Sequence, residues 1–320
     1  MKSPHKSLFL FLMISSTCMV TSSSNWLMTW MGLEINMLGF IPLMYLKETA
    51  NESETAVKYL IPQSLGSTIF IASATTSLHF DNMQFLMPIA MCLKLGAAPF
   101  HFWFPPVMAG LPLLPAFILL TWQKIAPIFT ISSLNSTLMA KIIFIASISA
   151  LWGGIGGMNQ TDIRSLLTYS SIAHTGWMLA SINSNAPILT IYMMTYILIN
   201  LSIYTSLTTT STKSHKQLLI PKESYNSLLL ATNILSLGGL PPLTGFIMKL
   251  LLINYTQASM FIISTLIVGA LISLFYYLSL TFSPLLELSK THLTKAYSSK
   301  PSMMFLLAQI LPLSALLFLF

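Results

Sequence analysis

Apolar stretches long enough to cross a bilayer recur along this 320-residue chain, separated by short polar turns. A membrane helix needs about 20 mostly apolar residues, and on that scale the pattern predicts about eleven spans. They fall at residues 7–21, 25–46, 56–78, 83–104, 113–131, 141–158, 161–182, 188–207, 225–255, 259–282 and 302–320. The fold class is therefore all-α, a polytopic membrane protein. Turn residues mark the boundaries, as in Ser-Ser-Ser-Asn at 22–25 and Asn-Ser-Asn-Ala-Pro at 183–187.

Two spans contain helix breakers. Gly96 and Pro99 interrupt 83–104, and Gly239, Pro241 and Pro242 interrupt 225–255. A break in a membrane helix frees backbone groups that protein or water must satisfy. These breaks are expected to supply unpaired carbonyls and a water cavity. Each has a lysine beside it, Lys94 before the first and Lys249 after the second.

The order of spans predicts a symmetry. Spans one to five and six to ten form two blocks, and an odd block length inverts the second relative to the first. The interrupted span is the fourth member of each block. Matching interruptions in two inverted halves mark the binding region of many transporters. The expected divisions are residues 1–132, with the break in 83–104; residues 133–282, with the break in 225–255; and residues 283–320, a loop and a final span.

Composition agrees with a membrane protein. The chain is 54% hydrophobic and 7% charged, where a soluble domain carries about 25% charged residues. Its net charge of +7 is spread over short loops. No basic stripe interleaved with aromatics is visible, which argues against a nucleic-acid partner and leaves the lipid bilayer. Under the predicted spans, Lys2, Lys6, Lys47, Lys58, Arg164, Lys213, Lys216, Lys222, Lys290, Lys295 and Lys300 fall on one side, and Lys141 on the other. Positive loops stay inside, so the N-terminus is expected inside and the C-terminus outside. Lys2, Lys6 and the apolar run from Leu8 also resemble a signal peptide. The topology favours a first span.

Four ionisable residues fall far from any predicted membrane surface: Glu34, Lys94, Lys124 and Lys249. A charge at mid-bilayer costs at least about 2.5–3.5 kcal/mol. Placed twice beside breaks, it points to an ion pathway more than to packing. A buried lysine can titrate near neutral pH, and a nearby carboxylate tunes it. Glu34 with Lys94 is the natural pair.

His101 and His174 are secondary candidates for passing protons, with a hydrogen-bonded structural imidazole as the alternative for each. Lys58 is a candidate for the mouth of a pathway, with an interfacial anchor as the alternative. Thr168, Tyr169, Ser170 and Ser171 are candidates to order water near His174, though such hydroxyls more often bond backbone. Gly-Gly-Ile-Gly-Gly at 153–157 lacks the strand and acidic partner of a dinucleotide site, and reads as close helix packing. Cys18 and Cys92 lack disulfide or metal spacing. No metal site and no redox cofactor site is expected in this chain.

Four segments carry a resemblance: Asn-Trp-Leu-Met-Thr-Trp-Met-Gly-Leu-Glu-Ile-Asn from Asn25, Lys-Leu-Gly-Ala-Ala-Pro-Phe-His-Phe-Trp-Phe-Pro from Lys94, Thr-Trp-Gln-Lys-Ile-Ala-Pro from Thr121, and Leu-Gly-Gly-Leu-Pro-Pro-Leu-Thr-Gly-Phe from Leu237. Together they closely resemble the NADH-ubiquinone oxidoreductase chain 2 family, antiporter-like membrane subunits of respiratory complex I, in its shortened animal mitochondrial form. The resemblance extends over nearly the whole chain, and Ser-Ser-Ile-Ala-His-Thr-Gly-Trp-Met from Ser170 adds to it.

The family implies proton pumping driven by NADH oxidation with ubiquinone, the NADH, FMN and iron–sulfur chemistry lying in other subunits. It also implies the mitochondrial inner membrane, with the N-terminus on the matrix side and the C-terminus in the intermembrane space. Partners would be the other membrane-arm subunits, among them a neighbouring antiporter-like chain. Glu34 matches the family's modulating carboxylate, Lys94 the lysine of the first broken helix, Lys124 the linking lysine and Lys249 the lysine of the second broken helix. Two places depart from the pattern. Met-Lys-Leu at 248–250 stands where Pro-Lys-Trp is common, and Pro106 stands where an acidic residue is common. An independent cation/proton antiporter is the competing reading, since buried lysines at broken helices would suit it as well.

Overall fold

A computed structural model describes residues 4–45, 50–77, 79, 84–134, 139–184, 186–210, 224–256 and 259–288. The regular elements among them are helical. The predicted final span at 302–320 lies outside the described residues, as do Lys2, Lys47, Lys213, Lys216, Lys222, Lys290, Lys295 and Lys300. The chain divides into two compact units, Met1–Ile148 and Ser149–Phe320.

In the first unit, α1 (Pro4–Ser22) lies against α2 (Trp26–Met44). The helices meet at small residues: a Cβ added to Gly39 would stand 3.3 Å from the Phe9 carbonyl oxygen. Close backbone approach of this kind is how apolar helices associate without a hydrophobic driving force. The next helix, α3 (Ala50–Thr76), presents Tyr59, Gln63 and Gly66 on one stripe, as spacings of three and four residues require. That stripe faces α4 (Leu86–Leu95) and α5 (Phe104–Gly110).

The predicted span at 83–104 is only half a helix. With 10 residues, α4 rises about 15 Å, roughly half the hydrocarbon thickness of about 30 Å. Turns occupy residues 96–103, and α5 begins at Phe104 with prolines in its first turn, where their missing N–H groups cost nothing. The span at 113–131 is also interrupted. A 3-10 turn at Trp122–Lys124 separates α6 (Leu113–Leu120) from α7 (Ile125–Ser132). Pro127 explains it: a proline lacks the N–H and collides with the carbonyl four residues earlier, here that of Gln123.

The second unit begins within α8 (Met139–Gly157) and continues with α9 (Ile163–Ser181), α10 (Ala186–Thr210), α11 (Ser224–Gly238), α12 (Thr244–Tyr255) and α13 (Met260–Leu288). Its centre is α9, buried at nearly every position from Leu166 to Ser181. The glycines of α8 are packing surfaces: Gly154 faces the Gly269 carbonyl oxygen of α13, 3.0 Å from an added Cβ, and Gly153 abuts the backbone of Tyr169 and Ala173. By contrast, α13 shows Phe261, Leu271 and Phe275 outward, at 73%, 62% and 62% exposure. An apolar face that open belongs in lipid.

Among the described residues, four stretches are long and apolar enough to cross a membrane: Trp26–Met44, Leu113–Ser132 with its 3-10 turn included, Ala186–Thr209 and Met260–Phe282.

Candidate functional site

In the first unit the break after α4 is closed by a left-handed glycine. Gly96 has φ 67, a conformation that costs other residues steric strain. Its N–H donates to the Leu93 carbonyl at 3.2 Å, and the Ala97 N–H reaches the Cys92 carbonyl at 3.0 Å. This pair of bonds is a Schellman ending.

Side chains meet two of the carbonyls at this end, adding a second donor to Leu93 O and pairing Lys94 O, where the sequence suggested unpaired carbonyls. The Trp103 indole N–H donates to Leu93 O at 3.1 Å, and the Gln63 amide donates to Lys94 O at 3.0 Å. In hydrocarbon an unpaired carbonyl costs several kcal/mol, so a break placed there needs such donors. Pro99 itself is exposed. Removing one donor tests the arrangement. Gln63→Leu should lower stability by about 1–3 kcal/mol by stranding the Lys94 carbonyl, seen as a lower midpoint on heating the purified protein.

Lys94 is buried at 6% exposure. Its stem runs against Gly66 of α3, where an added Cβ would stand 2.8 Å from Lys94 Cγ. Glu34, half-buried on α2, acts electrostatically on the Lys94 ammonium, although the two do not form an ion pair within 4.0 Å. A small cavity of about 10 Å³ adjoins Lys94, lined on its polar side by Asn36, Tyr59, Gln63 and Gln123.

Lys124, at 2% exposure, sits on the 3-10 turn with its ammonium 6.0 Å from the centre of the Phe104 ring. Phe104 in turn packs 3.4 Å from the position of a Gly96 Cβ. The first unit thus brings Glu34, Lys94 and Lys124 around one helix break. His101 is buried inside the turns, stacked on Phe102 with ring centres 4.5 Å apart. Lys58 is elsewhere in character. It is exposed and pairs with Glu54 at 2.5 Å, and its ammonium holds the Glu54 carboxyl below the ordinary carboxylate value.

The second unit uses its lysine differently. The break between α11 and α12 opens at Gly239, with φ 82. Pro241 and Pro242 follow in turn conformation, both exposed. Lys249, 8% exposed, reaches back across the break and donates to the carbonyls of Gly238 at 2.9 Å and Leu237 at 3.4 Å. The cation meets the last carbonyls of α11, where the helix dipole is negative. Its other face looks onto the Trp177 ring, 5.9 Å to the centre.

His174, also buried, has Nδ1 2.9 Å from the Tyr192 hydroxyl and its ring 5.1 Å from that of Tyr196. Neither tyrosine stood out in the sequence reading. The available signal was their four-residue spacing on an apolar helix, which puts two phenols on one face. The hydroxyls beside His174 bond their own helix: Ser170 donates to Leu167 O at 2.8 Å and Ser171 to Thr168 O at 2.7 Å. Back-bonding of this kind is common for serine in buried helices.

Buried lysines held at breaks in an all-helical membrane fold define an antiporter-like membrane protein. The family model described as NADH:quinone oxidoreductase/Mrp antiporter, TM matches residues 23–84 and 74–274. Solved structures share the fold. One is a chain of respiratory complex I from Thermus thermophilus with bound aureothin, at a TM-score of 0.82 and 22% identity, covering 96% of this chain and 76% of that one. Another is a chain of the Mrp complex from Dietzia sp. DQ12-45-1b, at a TM-score of 0.71 and 14% identity, covering 91% and 61%. The NADH-ubiquinone oxidoreductase chain 2 of Nandinia binotata is 39% identical, covering 90% of this chain and 88% of its own length. That of Canis rufus is 38% identical over the same shares. The chain belongs to the NADH-ubiquinone oxidoreductase chain 2 family.

Proposed function

We propose that this chain is a core membrane subunit of the proton-pumping NADH:ubiquinone oxidoreductase, complex I, and carries protons while electron transfer runs in other subunits. The observation that carries this reading is the burial of Lys94, Lys124 and Lys249, each at an interruption of a membrane helix. Family membership supports it. NADH, FMN, iron–sulfur clusters and ubiquinone belong to the assembled complex. The partners are the other membrane-arm subunits, including the adjacent antiporter-like chain, and the bilayer. The location is the mitochondrial inner membrane, with the N-terminus in the matrix and the C-terminus in the intermembrane space.

The architecture proposed with it is eleven spans, in two inverted five-helix repeats within residues 1–132 and 133–282 and a final span within 283–320. Lys94, Lys124 and Lys249 each hold and release a proton. Glu34 biases Lys94: a shift of its charge or position changes how firmly Lys94 keeps its proton. Gly96, Pro99, Gly239, Pro241 and Pro242 create the breaks at which these changes occur. His174, bonded to Tyr192, and His101 are secondary carriers, and Lys58 stands at the surface. In the second unit, loss of the Lys249 proton weakens its hold on the Gly238 and Leu237 carbonyls, so protonation and local structure are coupled. The competing reading, an independent cation/proton antiporter, predicts purification without other complex I subunits.

Lys249→Arg is the sharpest test. Arginine keeps a cation able to cap α11, yet it does not deprotonate in proteins. The complex should assemble, while the proton-to-electron ratio in sealed vesicles falls at least about tenfold. An unchanged ratio in the assembled variant would remove Lys249 from the proton route.

A further inference from the structure

The cavity beside Lys94 is bounded by two side chains whose hydrogen bonding is incomplete. Asn36 Oδ1 and Gln123 Nε2 are both buried and have no protein partner. One is an acceptor and the other a donor. Gln123 Oε1 already has the Tyr59 hydroxyl at 3.4 Å, and the Gln63 amide is committed to Lys94 O. In a membrane interior each unmatched group is costly. Water supplies both complements, because it donates and accepts. The space of about 10 Å³ is about what one molecule requires, and a buried water typically has two to four polar partners.

We propose that Asn36 and Gln123 hold a single ordered water against the Lys94 ammonium, and are positioning residues for proton uptake at Lys94. The water donates to Asn36 Oδ1 and accepts from Gln123 Nε2 and the Lys94 ammonium. It solvates the charged form in a site otherwise built from Leu33, Met37 and Ala126. Asn36 comes from α2, the helix of Glu34, and Gln123 from the turn of Lys124. The same water therefore ties the modulating carboxylate's helix to the next lysine's turn. The titratable groups that face Lys94 are Glu34 from α2 and Tyr59 from α3, while the Lys124 ammonium lies at the Phe104 ring. The assignment of a role in proton uptake rests on the reading of Lys94 as a proton carrier; the water site itself does not.

Two measurements test the two parts. A structure of the intact complex fine enough to show solvent should contain a water within hydrogen-bonding distance of Asn36, Gln123 and Lys94. A cavity without density, or a direct Asn36–Gln123 bond, overturns the site. In vesicles, Asn36→Leu and Gln123→Leu should move the alkaline limb of NADH-driven pumping to lower pH by about one unit, because a less solvated ammonium is harder to keep. Asn36→Ser, which retains an acceptor, should restore the profile. Assembled Leu variants with an unmoved limb overturn the positioning role. Lys94→Met separates the causes. If it abolishes pumping while the Leu variants behave as wild type, this inference fails and the proton-carrier reading stands. If it pumps normally, the carrier reading fails and only the solvent density bears on the water site.

Discussion

Lys94→Met is expected to leave the complex assembled and to remove its proton pumping. Methionine matches the length of the lysine stem, so it keeps the contact with Gly66 of α3. The Lys94 carbonyl, bonded by Gln63, belongs to the backbone and survives the change. Replacing a buried cation with a thioether also removes a burial cost of at least about 2.5–3.5 kcal/mol, so stability should not fall. What disappears is the titrating amine and the charge that faces Glu34. Proton transfer by a positioned side chain contributes about 100-fold or more to rate, and pumping should drop on that scale, with NADH oxidation slowed or uncoupled. The check is the proton-to-electron ratio in membranes where assembly has been verified. Full pumping at the normal ratio would leave this chain as scaffold or move the route elsewhere.

The features that make Lys94 conspicuous are local in sequence. A lysine in an apolar run, two residues from Gly96 and five from Pro99, announces both the charge and the break without any knowledge of tertiary contacts. Lys249 with Gly239, Pro241 and Pro242 does the same. Beyond Glu34, the groups that complete these sites were not legible where they come from distant chain positions. Gln63 lies 31 residues from the carbonyl it caps, and Tyr192 lies 18 residues from His174. No periodicity within one helix encodes such pairs. The interruption at Trp122–Lys124 was written in the chain by Pro127, but a single proline near the end of an apolar run also reads as a continuous span. Position made the two broken helices look equivalent, and their chemistry differs. Lys94 precedes its break and leaves carbonyl capping to Gln63 and Trp103. Lys249 follows its break and caps the carbonyls itself.

That difference predicts where a single methyl group will do most damage. Gly245 of α12 lies directly on the backbone of Ser236 in α11, so close that an added Cβ would overlap the Ser236 carbonyl oxygen and stand 2.8 Å from its carbonyl carbon. Backbone has no rotamer to move aside, so Gly245→Ala must push the two half-helices apart. Forced overpacking costs about 1–3 kcal/mol even where side chains can adjust, and this contact should exceed that range. The displacement also pulls Lys249, one turn further along α12, from its 2.9 Å bond to Gly238 O. A buried cation and the last carbonyls of α11 would then lose each other together. Assembled complex, measured on native gels, should be nearly absent. Gly239→Ala is the milder comparison. It places a non-glycine residue at φ 82, with its Cβ 3.2 Å from Lys249 Nζ, a strain of about 1–3 kcal/mol. It should assemble with a lower melting midpoint and remain accessible to pumping measurements. Normal assembly of Gly245→Ala would mean that the half-helices are not held at backbone contact, and Lys249 would need another reason for its seat.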